Sequence, residues 1–180
     1  MLVPSEHDRA HRHIALAFML ATFLLSLVLP VAFDSSVVGY QLTTGIESLE
    51  WIPAIGARYH VGIDGLSLWL VMLTTFLGPI VVLASYNYID KHVREFHIAV
   101  LVLQTAMIGA FVSLDLLLFY VFWELMLIPM YLLIGVWGST DRIYAAVKLF
   151  IYTMFGSLLM LVAILYIYSG SGVGSFRIDL

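Results

Sequence analysis

Of the 180 residues in this chain, 62% are hydrophobic and 11% charged, against about 45–50% and about 25% in an ordinary soluble domain, so too little polar surface exists to keep it dissolved. The formal charge of −4 is dispersed and contains no basic block, which argues against a nucleic-acid partner or an anionic-lipid patch. With no cysteine, disulfides, cysteine-ligated iron–sulfur clusters and thiol catalysis are excluded from this chain.

That leaves the lipid bilayer as its medium. A polar segment at 1–13, MLVPSEHDRAHRH, precedes an apolar stretch at 14–33. No small-residue cleavage site follows it, so a retained spanning helix is predicted and not a signal peptide. The loop 34–65 carries Asp34, Glu47, Glu50 and Asp64 among turn-forming Gly and Pro. Within it, WIPAIGARYHVGIDG is expected to pack as an ordered segment across the ends of other helices. Further spanning helices are predicted at 66–86, 96–113, 116–137 and 144–168, each supplying the roughly twenty apolar residues that about 30 Å of hydrocarbon requires. The expected fold class is therefore all-α, a polytopic transmembrane bundle of about five spanning helices. Leu114 and Asp115 alone separate the third and fourth, which predicts a tight hairpin. Asp115 is placed at the membrane surface, where a charge stays wet, in position to cap the fourth helix. The tail 169–180, with its SGSGVGS run, is expected to be a flexible, truncated linker.

Orientation follows from the basic residues. Arg9, Arg12, Lys91, Arg94 and Arg142 fall on the N-terminal side of the membrane, and Arg58 and Arg177 on the other. By the positive-inside rule the N-terminus faces the cytoplasm, or the matrix in a mitochondrial inner membrane. Trp51, Tyr59, Trp69, Tyr86, Tyr88, Trp137, Tyr144, Tyr166 and Tyr168 cluster near predicted ends, as interfacial anchors do.

The chemistry centres on Glu124, the one charge within LLLFYVFWELMLIPMYLLIGVW at 116–137. A carboxylate at the centre of a spanning helix costs roughly 2.5–3.5 kcal/mol on insertion scales, so a functional role is the default reading, against a protonated Glu that merely bonds a neighbouring helix. Tyr120, Glu124, Ile128 and Tyr131 share one helical face. Pro129 removes the hydrogen-bond partner of the Leu125 carbonyl and is expected to bend the helix, offering water a place beside the carboxylate. Low-dielectric surroundings favour a neutral carboxyl and a nearby ammonium favours the ionised form, so a movable cation would switch such a group between holding and releasing a proton. Lys148, the other intramembrane charge, is a candidate relay partner. Its stem is also long enough to snorkel, and straight helices would leave the two about 12 Å apart in depth.

The remaining polar positions carry weaker signals. Gln104, Thr105, Thr74, Thr75, Thr153 and Ser157 are expected to make interhelical hydrogen bonds, and Gly109, Gly135 and Gly156 to allow close helix approach. His97 fits a satisfied interfacial histidine, with a proton stepping-stone as the alternative. His7, His11 and His13 fit a solvated terminus better than a metal site.

Two blocks, FYVFWELMLIPMYLLIGVWG at 119–138 and RIYAAVKLFIYTMFGSLLMLVAI at 142–164, with HVGIDGLSLWLVMLTTFLG at 60–78 upstream, resemble the chain M (subunit 4) family of proton-translocating NADH:quinone oxidoreductase, respiratory complex I. The likeness runs from about residue 14 to the end, and extends more loosely to multisubunit sodium/proton antiporters. It implies that Glu124 matches the family's helix-embedded glutamate and Lys148 a lysine on the next helix. It further implies that NAD, quinone, flavin and iron–sulfur clusters sit in partner subunits, with no nucleotide, flavin or metal site in this chain. The family has about fourteen helices, so the sequence is expected to correspond to its N-terminal part, with the family's first helix missing. Two other functions compete with proton pumping: a subunit of a sodium/proton antiporter, or a non-pumping membrane scaffold.

Overall fold

The structure, a computed structural model, describes residues 6–43, 49–171 and 175–178. Its helices, in chain order, are α1 (Glu6–Ser26), α2 (Leu29–Ala32), α3 (Gly65–Ser85), α4 (Val93–Val112), α5 (Leu116–Leu125), α6 (Leu127–Trp137) and α7 (Arg142–Ser171). Five units are long and apolar enough to cross a membrane: Arg9–Ala32, Gly65–Ser85, Val93–Val112, Leu116–Trp137 and Arg142–Gly170.

Two of these units are broken, and proline accounts for both breaks. Pro30 opens α2; its ring conflicts with the carbonyl four residues back, that of Ser26, where α1 stops. Pro129 acts in the same way on the carbonyl of Leu125, the last residue of α5, and the chain resumes as α6 after Met126. The expected bend is therefore an interruption at Met126, two residues beyond Glu124.

At the N-terminal side, helix ends are tied by charge. Arg12 of α1 donates through Nη1 to the carbonyl of Tyr86 (2.8 Å) and through Nη2 to that of Ile89 (2.7 Å), with Asp90 at 3.8 Å. A guanidinium on the carbonyls just past α3 satisfies acceptors that the helix end leaves open, and opposes its negative end. Trp137 closes the same side, donating from Nε1 to the Lys91 carbonyl (2.8 Å). Ala15, Met19, Val82 and Val100 form the buried core between α1, α3 and α4.

The opposite side contains an element that a reading by apolar runs passed over. Strands β1 (Leu49–Ile52) and β2 (Ala57–Tyr59) form an antiparallel hairpin, turned at Gly56, whose φ of 68° lies in the left-handed region that glycine enters freely. The segment behind it crosses the α4–α5 connection, as expected of an ordered piece. Gly62 N–H donates to the Val112 carbonyl (2.8 Å) and Leu114 N–H to that of His60 (2.9 Å). A Cβ at position 62 would lie 2.6 Å from Leu114 Cδ1 and 2.8 Å from Thr43 Cγ2, so only glycine fits there without displacement.

The start of α3 is fixed by a capping box. Asp64 Oδ1 accepts from Ser67 N–H (2.6 Å), and Ser67 Oγ accepts from Asp64 N–H (2.9 Å). The Ser67 amide holds the Asp64 carboxyl below the ordinary aspartate range. A depressed value means that the stabilisation is present above the unfolded pKa, about 3.9, and is lost only as pH falls through the lower folded value. Asp64→Ala is expected to cost about 1 kcal/mol, the usual worth of an N-cap. Denaturation in SDS titrations at neutral pH measures this, and an unchanged midpoint would refute it.

Two expectations are corrected at the α4–α5 turn and the tail. Asp115 is 0% exposed, not wet, because Arg58 and residues 176–178 cover it. The tail is not simply a loose linker. Residues 172–174 lie outside the described residues, but Leu116 N–H donates to the Phe176 carbonyl and Ile178 N–H to that of Leu114, both at 2.9 Å. Phe176 also stacks on Tyr168 at 4.2 Å between ring centroids.

Candidate functional site

Glu124 occupies the last turn of α5 and is half-buried. Its Oε1 is fully enclosed and has no hydrogen-bond partner. Tyr120, one turn earlier, lies near both Glu124 and Ser157 of α7. Ser157 is buried and its Oγ donates to the Met154 carbonyl (2.9 Å). Pro129 is buried beside the break that leaves this region without regular helical bonding. An oxygen without a donor, a phenol within reach and an interrupted backbone are the means to hold a proton and pass it on.

Tyr131 does not join this group. It is partly exposed and its ring packs edge-on against Phe150 of α7 at 5.7 Å. Lys148 stands further off still. No ion pair joins it to Glu124 among the described residues; its Nζ lies 5.6 Å from the Tyr144 ring centroid and the residue is exposed. Ala146, Phe150 and Ser157 mark the inward stripe of α7, since Ala146 meets Gly135 and Phe150 meets Tyr131. At about 100° per residue, Lys148 lies about 200° around from Ala146, on the far face.

His97, the fifth residue of α4, is only 3% exposed. Its Nδ1 is 2.6 Å from the Val93 carbonyl. A carbonyl can only accept, so Nδ1 carries the hydrogen and Nε2, which has no partner, is left bare. The hydroxyls differ from expectation. Thr74, Thr105 and Thr153 each donate to the carbonyl four residues back in their own helix, at 2.8, 2.9 and 2.7 Å. Thr75 reaches another helix, meeting the Ser26 hydroxyl at 2.8 Å. Such back-bonding satisfies a hydroxyl in hydrocarbon without any neighbour.

Of the three glycines expected to allow close approach, Gly109 does so, since a Cβ there would collide with Phe122. Gly135 has ordinary contact with Ala146, and Gly156 meets nothing within 4 Å. Gly109→Ala is expected to cost about 1–3 kcal/mol through overpacking against α5, read as a lowered melting temperature; full tolerance would contradict this packing. Among the described residues no group of three or more His, Cys, Asp or Glu side chains gathers around a common point. The side chain of His7 lies outside the described residues. His13 packs edge-on against Tyr86 at 6.1 Å.

Five spanning helices with a carboxyl oxygen closed inside them define an integral, polytopic membrane protein. Residues 11–110 match the family described as NADH-ubiquinone oxidoreductase chain 4, amino terminus, and residues 113–179 match NADH:quinone oxidoreductase/Mrp antiporter, TM. The chain belongs to the NADH-ubiquinone oxidoreductase chain 4 family. It is 46% identical over 179 residues to NADH-ubiquinone oxidoreductase chain 4 of Arabidopsis thaliana, covering 99% of this chain and 36% of that protein. It is 48% identical over 165 residues to NADH-quinone oxidoreductase subunit M of Rhodobacter capsulatus, covering 92% and 31%. Among solved structures, a chain of respiratory complex I from Thermus thermophilus with bound NADH superposes with a TM-score of 0.73 at 30% identity, covering 92% of this chain and 33% of that one. A chain of an archaeal membrane-bound sulfane sulfur reductase shares the fold, with a TM-score of 0.75 at 20% identity over 97% of this chain and 26% of that one. The chain thus spans about a third of the length of the curated relatives it matches.

Proposed function

We propose that this chain serves as a proton-translocating membrane subunit of NADH:quinone oxidoreductase, with Glu124 as its protonatable relay residue. The observation that carries the reading is the enclosed Glu124 Oε1 without a donor, next to Tyr120 and two residues before the interruption at Met126. An unpaired oxygen in that position is an open site for a proton or a water-borne donor, and the strong cost of a permanent charge there favours its arrival and departure with a proton. Tyr120, also near Ser157, supplies a hydroxyl that can donate to the carboxylate in one state and accept from the carboxyl in the other. Lys148 takes a secondary part. Standing on the outer face of α7, it acts on groups that pack against that face and not on Glu124 directly.

Electron transfer belongs to other subunits under this reading, and NAD, flavin, iron–sulfur clusters and quinone with them. This chain's share of the enzyme is the coupling of that transfer to proton movement across the inner membrane, with the N-terminus on the cytoplasmic or matrix side. The match of residues 113–179 to a family that includes Mrp antiporters supports exchange of sodium for protons as the second reading, at the same carboxyl. Infrared difference spectra of the assembled complex during turnover test the first reading. A protonated-carboxyl band that appears and disappears, and is missing in Glu124→Gln, is the expected result; a band of constant intensity would overturn the relay role. Dependence of that band on sodium would favour exchange.

A further inference from the structure

Basic residues that stand apart in the sequence are gathered by the fold. Lys91 and His92, in the connection between α3 and α4, and Arg142, the first residue of α7, line one cavity of about 540 Å³ at the N-terminal side of the membrane. That volume lies within the roughly 300–1,000 Å³ usual for sites that hold small molecules. The end of α6, with Val136 and Trp137, completes the wall.

Two hydrogen bonds fix its shape. Trp137 Nε1 donates to the Lys91 carbonyl at 2.8 Å, so the loop is fastened to α6 through its backbone while the Lys91 side chain stays exposed. Arg142 Nη1 donates to the Val136 carbonyl at 2.9 Å. This sets the guanidinium over the end of α6, and its fork carries further N–H donors suited to a phosphate. One acid lies in the wall, Asp90, and it is answered by the Arg12 guanidinium at 3.8 Å. Glu95, 4.0 Å from His92 Nδ1, and Asp141 stand outside the wall. The cavity therefore presents an excess of positive charge.

Its level in the membrane decides the ligand. Trp137 and Tyr88 in the wall are aromatic residues of the kind that collect where hydrocarbon meets water, which puts the basic mouth at the depth of phospholipid phosphates. From Val136 a stripe of exposed apolar residues, Leu132 and then Ile128, runs down α6 toward the bilayer centre, since residues four apart share a helical face. A free anion matches the mouth alone, and an apolar helix matches the stripe alone. A phospholipid matches both. Basic residues at the cytoplasmic or matrix surface also draw anionic lipid in preference to neutral lipid.

We propose that Lys91, His92 and Arg142 bind the phosphate of an anionic phospholipid whose acyl chain lies along Val136, Leu132 and Ile128. No basic block announces the site in the sequence, because its cations arrive from two separate connections. The inference rests on the placement of the helices in the membrane and is independent of the role of Glu124.

The test uses the assembled complex, with the full-length subunit, in phosphatidylcholine vesicles that contain a small fraction of phosphatidylglycerol bearing a diazirine in its acyl chain. After irradiation, adducts are mapped by mass spectrometry. Labelling of α6 between Ile128 and Val136 is expected, and added phosphatidylglycerol should compete it away where added phosphatidylcholine does not. Lys91→Gln should lower the yield about five-fold, the worth of one basic residue near an anionic surface. Because the Trp137 bond is made to the Lys91 backbone, that substitution leaves the wall standing. Arg142→Gln should lower the yield at least as far, since it also removes the bond to Val136. No labelling of this stripe would mean that protein covers it and would overturn the proposal. Equal labelling by a diazirine phosphatidylcholine would overturn it too, as would a yield indifferent to Lys91→Gln. Displacement by inorganic phosphate would assign the mouth to a free anion and overturn the lipid. Labelling is read whether or not the complex pumps, so its failure is distinct from a failure at Glu124.

Discussion

Glu124→Gln in the full-length subunit is expected to lower proton translocation about a hundred-fold, the low end of what a positioned proton-transfer group contributes, while the complex still assembles. Gln matches Glu in length and shape, so the packing of α5 against α4 and α7 is kept. What disappears is the ability to exist in two protonation states. Oε1 is the atom without a donor, and a carboxamide oxygen there remains a fixed acceptor that never picks up a proton near neutral pH. Tyr120→Phe removes only the hydroxyl within reach of Glu124 and Ser157; a smaller loss, about three- to ten-fold, is expected because water can substitute in part. Glu124→Asp keeps the acid but withdraws it by one methylene from Tyr120, and should fall between the two. Proton uptake by sealed vesicles, expressed per electron delivered to quinone, separates pumping from electron transfer. Normal proton yield in Glu124→Gln would remove Glu124 from the pathway. Normal electron transfer with collapsed yield would place it in the coupling, whereas loss of both would place it where the two are locked together.

The spanning helices were legible because each is a run of apolar residues long enough for hydrocarbon, a signal that does not depend on neighbours. Glu124 was legible for the same reason, as a solitary acid in such a run. Relations between helices were not. The sequence of α7 is apolar around most of its circumference, so nothing in it says which face turns inward; the placement of Lys148 opposite Ala146 follows from the contacts of Ala146 with Gly135 and of Phe150 with Tyr131. Arg12 entered only as one of the basic residues that set orientation, yet its guanidinium reaches the carbonyls of Tyr86 and Ile89 across more than seventy residues of sequence. The pattern of strand β1, a bulge with two pairs on one side and one on the other, is too short to show alternation. The Gly56 turn was its only local signal.

The burial of Asp115 was hidden for a related reason, and it leads to the largest expected effect on stability. An acid between two spanning helices belongs at the surface by position alone, but its covering arrives from distant parts of the chain. Oδ1 accepts from the amides of Leu117 (3.0 Å) and Leu118 (3.1 Å), and Oδ2 from the amide of Arg58 (3.2 Å). One carboxylate thus satisfies the open end of α5 and fastens the β-hairpin segment to it, while the backbone of Asp115 pairs with that of Arg177. Asp115→Ala leaves these three donors without an acceptor in a region closed to water. Each such loss costs about 1–3 kcal/mol, so at least about 3 kcal/mol in total is expected, a large share of the 5–15 kcal/mol that usually separates folded from unfolded. Asp115→Asn retains one acceptor oxygen, enough to cap α5, but turns an NH2 group toward Arg58 N–H or surrenders the cap; about 1–2 kcal/mol is expected. SDS titration of the purified subunit and the amount of assembled complex in membranes measure both. The order wild type, Asn, Ala should hold in each measurement. An Ala variant as stable as wild type would mean that water reaches the turn and that the carboxylate fastens nothing.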